Sequence, residues 1–411
     1  MSFHEHVLPN GLTIVGEISP SARSVAVGFF IKTGARDETP AESGVSHFLE
    51  HMVFKGTPHR SALEVNLDFD RIGADYNAGT SEETTSFYAL VLPEYLPKAV
   101  EILADILRPS LRSEDFDMEK KVIIEEIGMY DDSPAWCAYD NARKAYFVDH
   151  PLGNSVLGTK ESISALSRDQ MQAYFDRRYV ASNITVAVAG NFHWDDAVEM
   201  IDKHCGRWPT GAASRANVRP AKPRKLLKVI TKEKLNQEQV YVLAPAPAAD
   251  SMQRYAADAL AMIIGDNSGS RLYWALIDPG LADSADMNFQ DHDGTGTYFT
   301  SFSCEPENTQ DILALIQEIL RELQNEGVSD EELAVAKSKI LSRVVRSSER
   351  PKGRMQVLGI GWTYLRTYRS VDEELQNFDA VSLKDIRNVL DQYPFDQLTV
   401  LALGPLATLD E

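Results

Sequence analysis

Apolar and polar positions along the chain follow two rhythms. Residues 12–19, 24–33, 86–92 and 183–189 are rich in Val, Ile and Phe, the composition of β-strands. Helix-like stretches cover 45–54, 62–72 with Gly73 as a C-cap, Pro93 to about Leu107, and 113–129 behind Ser113 or Asp115 as cap. Further helices are expected at 141–147, 168–179 and 194–205. Residues 207–226 break the pattern with three prolines and several basic residues, and read as a linker. Beyond it, strands are expected at 239–244, 298–304 and 398–404, and helices at 251–264, 270–276, 308–326, 329–347 and 383–392. Asp291-His-Asp-Gly-Thr-Gly reads as a hairpin turn.

The order strand, helix, strand, long helix, helix, strand stands on both sides of the linker. This predicts a duplication: a domain over 1–210, a linker over 211–228 and a related domain over 229–411. Strands and helices without strict alternation point to an α+β fold rather than a doubly wound sheet.

Composition narrows the function classes. The chain has 411 residues, a soft prior for two or three domains. It carries 41 Lys+Arg against 61 Asp+Glu, a net charge of −20. Nucleic acid is disfavoured as a partner, because phosphate binding needs clustered basic residues. Cys137, Cys205 and Cys304 stand far apart, form no disulfide framework and fit a reducing compartment. No apolar run approaches the roughly 18–20 residues needed to span a membrane. The first residues show no basic head followed by an apolar run, so a cytoplasmic chain is expected.

The informative stretch is Gly44-Val-Ser-His47-Phe-Leu-Glu50-His51-Met-Val-Phe. On a helix, His47 and His51 stack on one face and their imidazoles can converge on one metal ion. Glu50 lies one turn from His47, close enough to take a proton without having to ligate. Hydrolytic zinc sites use three protein ligands and leave one position for water. His-x-x-Glu-His is the inverted form of the zincin motif. The same three residues would also fit a solvated surface or an ordinary hydrogen-bond cluster.

A third ligand is needed. In the helix over 113–129, Glu119, Ile123 and Glu126 share one face, while Glu125 points away. A carboxylate on an apolar stripe is costly unless paired or bound to metal. Glu126 is therefore the better ligand candidate, with Glu119 behind it. A solvated acidic helix with pairs to Lys120 and Lys121 is the alternative.

Taken together, several stretches resemble the pitrilysin/insulinase metallopeptidases. The similarity is strongest to short members such as the mitochondrial processing peptidase β subunit and its bacterial relatives. The stretches are Pro9-Asn-Gly-Leu12, the run over 27–37, Gly44 to Thr57, Asn77-Ala-Gly-Thr-Ser-Glu-Glu-Thr and Glu119-Lys-Lys-Val-Ile-Ile-Glu-Glu126-Ile. Gly269-Ser-Arg-Leu272 and Arg354-Met-Gln-Val-Leu-Gly359 match more loosely. The resemblance implies one Zn2+ per chain on His47, His51 and Glu126. It implies catalytic roles for Glu50, as general base, and for Glu119. Asn77 and Ala78 would lie on the sheet edge where a peptide substrate binds as an added strand. It also implies two homologous α/β-roll halves with antiparallel sheets and flanking helices, a LuxS and processing-peptidase type of metallohydrolase, enclosing a chamber.

One departure matters. The family's second half usually carries an Arg and, seven residues on, a Tyr that hold the substrate. Here the matching stretch is Leu276-Ile-Asp-Pro-Gly-Leu281-Ala-Asp-Ser-Ala-Asp, with neither. Arg271, Tyr273 or a partner chain would have to compensate, in a homodimer or in a heterodimer with a related subunit. The expectation is a zinc-dependent endopeptidase. The alternative is a non-catalytic scaffold of a processing-peptidase-like assembly, which has no need of two His, a base and a third carboxylate at workable spacing.

Overall fold

The computed structural model describes residues 1–410 except 214 and 216–218. Its strands are β1 (Ser2–Val7), β2 (Thr13–Ile18), β3 (Val25–Ile31), β4 (Asp75–Thr80), β5 (Thr85–Val91), β6 (Ile184–Gly190), β7 (Leu226–Thr231), β8 (Glu238–Ala246), β9 (Ser284–His292), β10 (Thr295–Cys304) and β11 (Thr399–Gly404). Its helices are α1 (Val45–Val53), α2 (Ala62–Arg71), α3 (Leu96–Ile106), α4 (Ser113–Asp131), α5 (Pro134–Tyr146), α6 (Lys160–Ala165) and α7 (Arg168–Arg178). They continue with α8 (Trp194–Cys205), α9 (Arg254–Gly265), α10 (Thr309–Glu326), α11 (Asp330–Ser348), α12 (Pro351–Leu365), α13 (Val371–Asp379) and α14 (Leu383–Gln392). The fold is α+β. Among the described residues no helix is long and apolar enough to cross a membrane.

Two compact units result. The first comprises Met1–Gly128, Asn154–Ala216 and Val345–Tyr368; the second comprises Met129–Gly153, Asn217–Val344 and Arg369–Glu411. The first contains the sheet β1-β2-β6-β3-β5-β4 and the second the sheet β7-β11-β8-β10-β9. Removing β1 leaves two sheets of identical strand order, and each has one parallel pair, β2 with β6 and β7 with β11. The sheets are antiparallel, as expected, apart from that pair. The parallel pair arises because the last strand of each half returns through helices to lie beside the first, which a tight hairpin cannot do.

Strand β3 shows how sequence becomes layers. Val25, Val27, Phe29 and Ile31 enter the core shared with α1 and α3. Ala26 and Phe30 face the other way, against Met355, Leu358 and Trp362 of α12. A strand covered on both faces needs a continuous apolar run. Helix α12 is pinned by a buried pair: Arg354 Nε donates to Glu17 Oε1 at 2.8 Å and Nη2 to Oε2 at 2.5 Å, with Tyr368 Oη donating to Oε2 at 2.9 Å. In the second unit α5 plays the corresponding part. Its Ala138, Ala142 and Tyr146 pack against Leu243, Phe299, Leu401 and Leu403. Each sheet thus carries a helix drawn from the other half of the sequence, a departure from a single cut at the linker.

Other differences are local. The expected linker over 211–228 partly falls outside the described residues, and its last three residues already belong to β7. The helix expected over 141–147 starts earlier, at Pro134. The helix expected over 270–276 contains a π-helical turn, Tyr273–Ile277. Strands β1, β4, β7 and β9 and helices α6, α12 and α13 were not among the elements expected from periodicity. The hairpin turn at Asp291–Gly296 does join β9 to β10.

Glycine sets how closely α12 approaches the sheet, because a Cβ at Gly359 would lie 2.1 Å from the Phe30 ring. Gly359→Ala is expected to destabilise the fold by about 1–3 kcal/mol through overpacking. Gly361→Ala, on the same helix with nothing within 4 Å of the added carbon, is expected to stabilise by roughly 0.5–1 kcal/mol through helix propensity. Urea unfolding of the two variants checks the contrast; equal effects would remove the close-approach argument.

Candidate metal centre

Helix α1 has the sequence VSHFLEHMV, with Val45, Phe48, Leu49, Met52 and Val53 buried. This apolar face seats the helix on the sheet and leaves His47, Glu50 and His51 on the adjoining side. Helix α4 docks alongside through Phe116, whose ring stacks on Phe48 with centroids 4.8 Å apart, and through buried Ile123 and Ile127. That docking sets the carboxylates. Glu126 lies on the edge of the apolar stripe, with Oε1 3.8 Å from His47 Nε2 and Oε2 3.7 Å from His51 Nε2. Glu125 faces outward and is exposed.

These three side chains offer ligand atoms all within 4.8 Å of one another. In a tetrahedral centre with bonds of about 2.0–2.1 Å, ligand atoms stand about 3.3–3.4 Å apart. A small inward movement would close the set. Glu126 Oε2 is buried and has no hydrogen-bond partner. An uncompensated carboxylate oxygen facing an imidazole nitrogen is what a bound cation relieves, so the residues fit a divalent metal. Burial, with the neighbouring His51, pulls the His47 imidazole down to about 4. It is therefore neutral at pH 7, with a ring lone pair free to ligate.

Glu119 completes the arrangement without joining the ligands. Its Oε1 lies 2.9 Å from His51 Nδ1, and its Oε2 lies 2.5 Å from Lys55 Nζ. Burial works to raise its pKa, but the hydrogen bonds from His51 and Lys55 outweigh it and hold Glu119 below the usual carboxylate range. For His51, burial pulls downward. The Glu119 hydrogen bond and the charges of Glu126, Glu119 and Glu50 reverse this, so its pKa is raised. A proton kept on Nδ1 by Glu119 leaves Nε2 as the ligating atom. Glu119 thus touches His51 and Lys55 and stands outside the group of three possible ligands.

Glu50 is mostly buried. Burial raises its pKa, against a hydrogen bond from Thr80 Oγ1 to Glu50 Oε2 of 2.7 Å. Thr80 is the last residue of β4, the edge strand of its sheet, which is paired only with β5 among the described residues. Asn77 and Ala78 lie on this strand opposite Tyr88 and Phe87, with Asn77 exposed and Ala78 half-buried. Sequence reasoning missed the parts played by Thr80 and Lys55. Lys55 was visible four residues beyond His51; Thr80 lay in a stretch where only Tyr76 and Ala78 alternate. In the second unit Arg271 is occupied by Glu332, at 2.7 Å, and by the Gly327 carbonyl, at 3.1 Å.

Comparison with known proteins bears on this geometry. Residues 13–160 match the family model described as insulinase (peptidase family M16), and residues 165–340 match that described as peptidase M16 inactive domain. The chain is 32% identical over 414 residues to an uncharacterized zinc protease of Mycobacterium leprae, covering 98% of this chain and 91% of that protein. It is 32% identical to the uncharacterized zinc protease YmxG of Bacillus subtilis, covering 96% and 97%. The solved structure of a protease from Helicobacter pylori is similar in fold, with a TM-score of 0.91 at 23% identity, covering 98% and 99%.

Glu119→Gln is expected to weaken zinc binding roughly 10–100-fold, the usual cost of losing a ligand's hydrogen-bond partner. Glu126→Ala is expected to abolish stoichiometric binding, and Glu125→Ala to leave it intact. Chelator competition on the three variants is the measurement. A zinc loss on replacing Glu125 instead of Glu126 would overturn the ligand assignment.

Proposed function

Since the chain belongs to the insulinase family (peptidase family M16), we propose that it is a zinc-dependent endopeptidase that cleaves peptides or unfolded segments. One observation carries the reading: His47, His51 and Glu126 converge from two helices beside a buried carboxylate, Glu50, that is held by a hydroxyl and not by a cation. Zinc, when bound by the three ligands, supplies a Lewis acid that activates water and polarises a carbonyl at neutral pH.

The chain's own groups do the rest. Glu50 takes a proton as the new C–O bond forms and hands it to the leaving amine. Thr80 holds one Glu50 oxygen and so fixes the carboxylate's plane. Glu119 holds the His51 ring. The unpaired edge of β4, at Asn77 and Ala78, receives the peptide as an added strand through main-chain hydrogen bonds. Because Arg271 is engaged within its own unit, we assign the missing Arg and Tyr contacts to a partner subunit of related sequence. A scaffold role draws support from that missing pair alone.

Glu50→Gln is expected to keep zinc and to lose roughly 10²–10⁴-fold in kcat, the range for losing a general base. Metal analysis beside a peptide-library digest, with and without a related subunit, tests this; near wild-type cleavage by the variant would refute the assignment. Thr80→Val is expected to lower kcat about tenfold, the value of about one hydrogen bond to a charged group. Zinc content should be unchanged and Thr80→Ser should restore turnover. A Thr80→Val enzyme of full activity would show that Glu50 needs no such support.

A further inference from the structure

Helix α1 is too short to hold itself. It spans nine residues and begins at Gly44, which has no side chain to cap it and sits at φ +89°. No other residue fits there, because a Cβ would lie 2.6 Å from the Leu157 carbonyl oxygen. The first-turn amides must therefore find an acceptor from outside the helix. They find Glu38. Its Oε2 accepts from the Gly44 N–H at 2.7 Å and its Oε1 from the Ser46 N–H at 2.8 Å. An N–H at each oxygen is the bonding pattern of a carboxylate, whose charge also suits a helix N-terminus. Burial opposes the charge and raises the pKa, while the N–H groups of Ser46 and Gly44 work to lower it.

The same turn is gripped from its other side. Ser46 Oγ lies 2.7 Å from Tyr174 Oη of α7, which lies 2.6 Å from Thr33 Oγ1. Arg178 Nε donates to Thr33 Oγ1 at 2.9 Å, and Arg178 also pairs with Asp37 at 3.0 Å, next to Glu38 in the chain. Asp37 and Glu83 both pair with Arg215, at 2.9 and 3.3 Å. The segment that carries Glu38 is thus anchored by buried ion pairs, so Glu38 is held as a fixed post and not as a mobile side chain.

We infer that Glu38 is a positioning residue for the metal ligands, setting the rotation and rise of α1 and hence where His47 is presented. His47 follows Ser46 directly, so a frayed first turn displaces it, while His51 sits a turn further in, held by Glu119 of the docked α4. The inference rests on the metal reading of the site. It adds a group that touches neither the ligands nor Glu50.

The test uses the full chain and zinc alone as probe. Zinc affinity is measured by chelator competition, and melting temperature is measured in metal-free and zinc-loaded forms, for wild type, Glu38→Gln and Glu38→Asp. Glu38→Gln keeps the size of the side chain but sets an NH2 against a backbone N–H. It is expected to weaken zinc binding roughly tenfold, the lower end of the range for ligand-supporting groups, and to shrink the zinc-induced rise in melting temperature. Glu38→Asp, which keeps the carboxylate, should recover part of the affinity. If Glu38→Gln melts lower by the same amount in both forms with unchanged zinc affinity, Glu38 is a structural cap only and the inference falls. If wild type itself binds no zinc, the metal reading falls and this inference with it.

Discussion

Imidazoles and carboxylates drawn half out of water, with too few protein cations to balance them, are the constraint behind the site. His47, His51, Glu50, Glu119 and Glu126 share one pocket of side chains between α1 and α4. Lys55 answers only Glu119. Burying polar groups without partners is expensive, and His47 Nδ1 and Glu126 Oε2 are buried with no hydrogen-bond partner. The apolar contacts around it, above all Phe48 on Phe116, supply the binding of helix to helix that holds these groups together. The polar cluster is where that packing energy is spent.

The frame around the site repeats. Two sheets share one strand order and one parallel pair at the same place, and each is covered by a helix that begins with proline after a long acidic-start helix. Among the described residues, the group of His and carboxylate side chains that could hold a metal lies in the first unit. In the second unit, Arg271 pairs with Glu332. The edge strand β4 pairs with β5 alone among the described residues, and its last residue reaches back to Glu50.

Much of this was legible from residue order. The run Val25 to Ile31 announced a central strand, and the apolar positions of α1 announced a seated helix with two imidazoles on its flank. The four-and-three spacing of Glu119, Ile123 and Glu126 separated Glu126 from Glu125, and the structure places them on the sides that spacing implies. The resemblance drew Asn77 and Ala78 to a sheet edge before any strand pattern did. Other features were hidden. Strand β4 has the sequence DYNAGT, in which only Tyr76 and Ala78 are apolar, too weak a signal to stand alone, and β5 pairs with it. Helix α12 contains three glycines and reads weakly as a helix; Glu17 and the Phe30 ring hold it in place.

Periodicity, then, indicated many of the elements, which way each side chain leaves its own element, and which four groups were worth bringing together. It did so because a helix or strand has a fixed repeat that any single chain segment displays. Distances between elements have no such repeat. That Glu119 lies against His51, that Thr80 reaches Glu50, that Glu38 caps a helix six residues downstream, and that α12 crosses to the sheet of the opposite half were decided by packing. Those outcomes depend on how surfaces from distant parts of the chain fill space against one another, and nothing in the local order of residues encodes that fit.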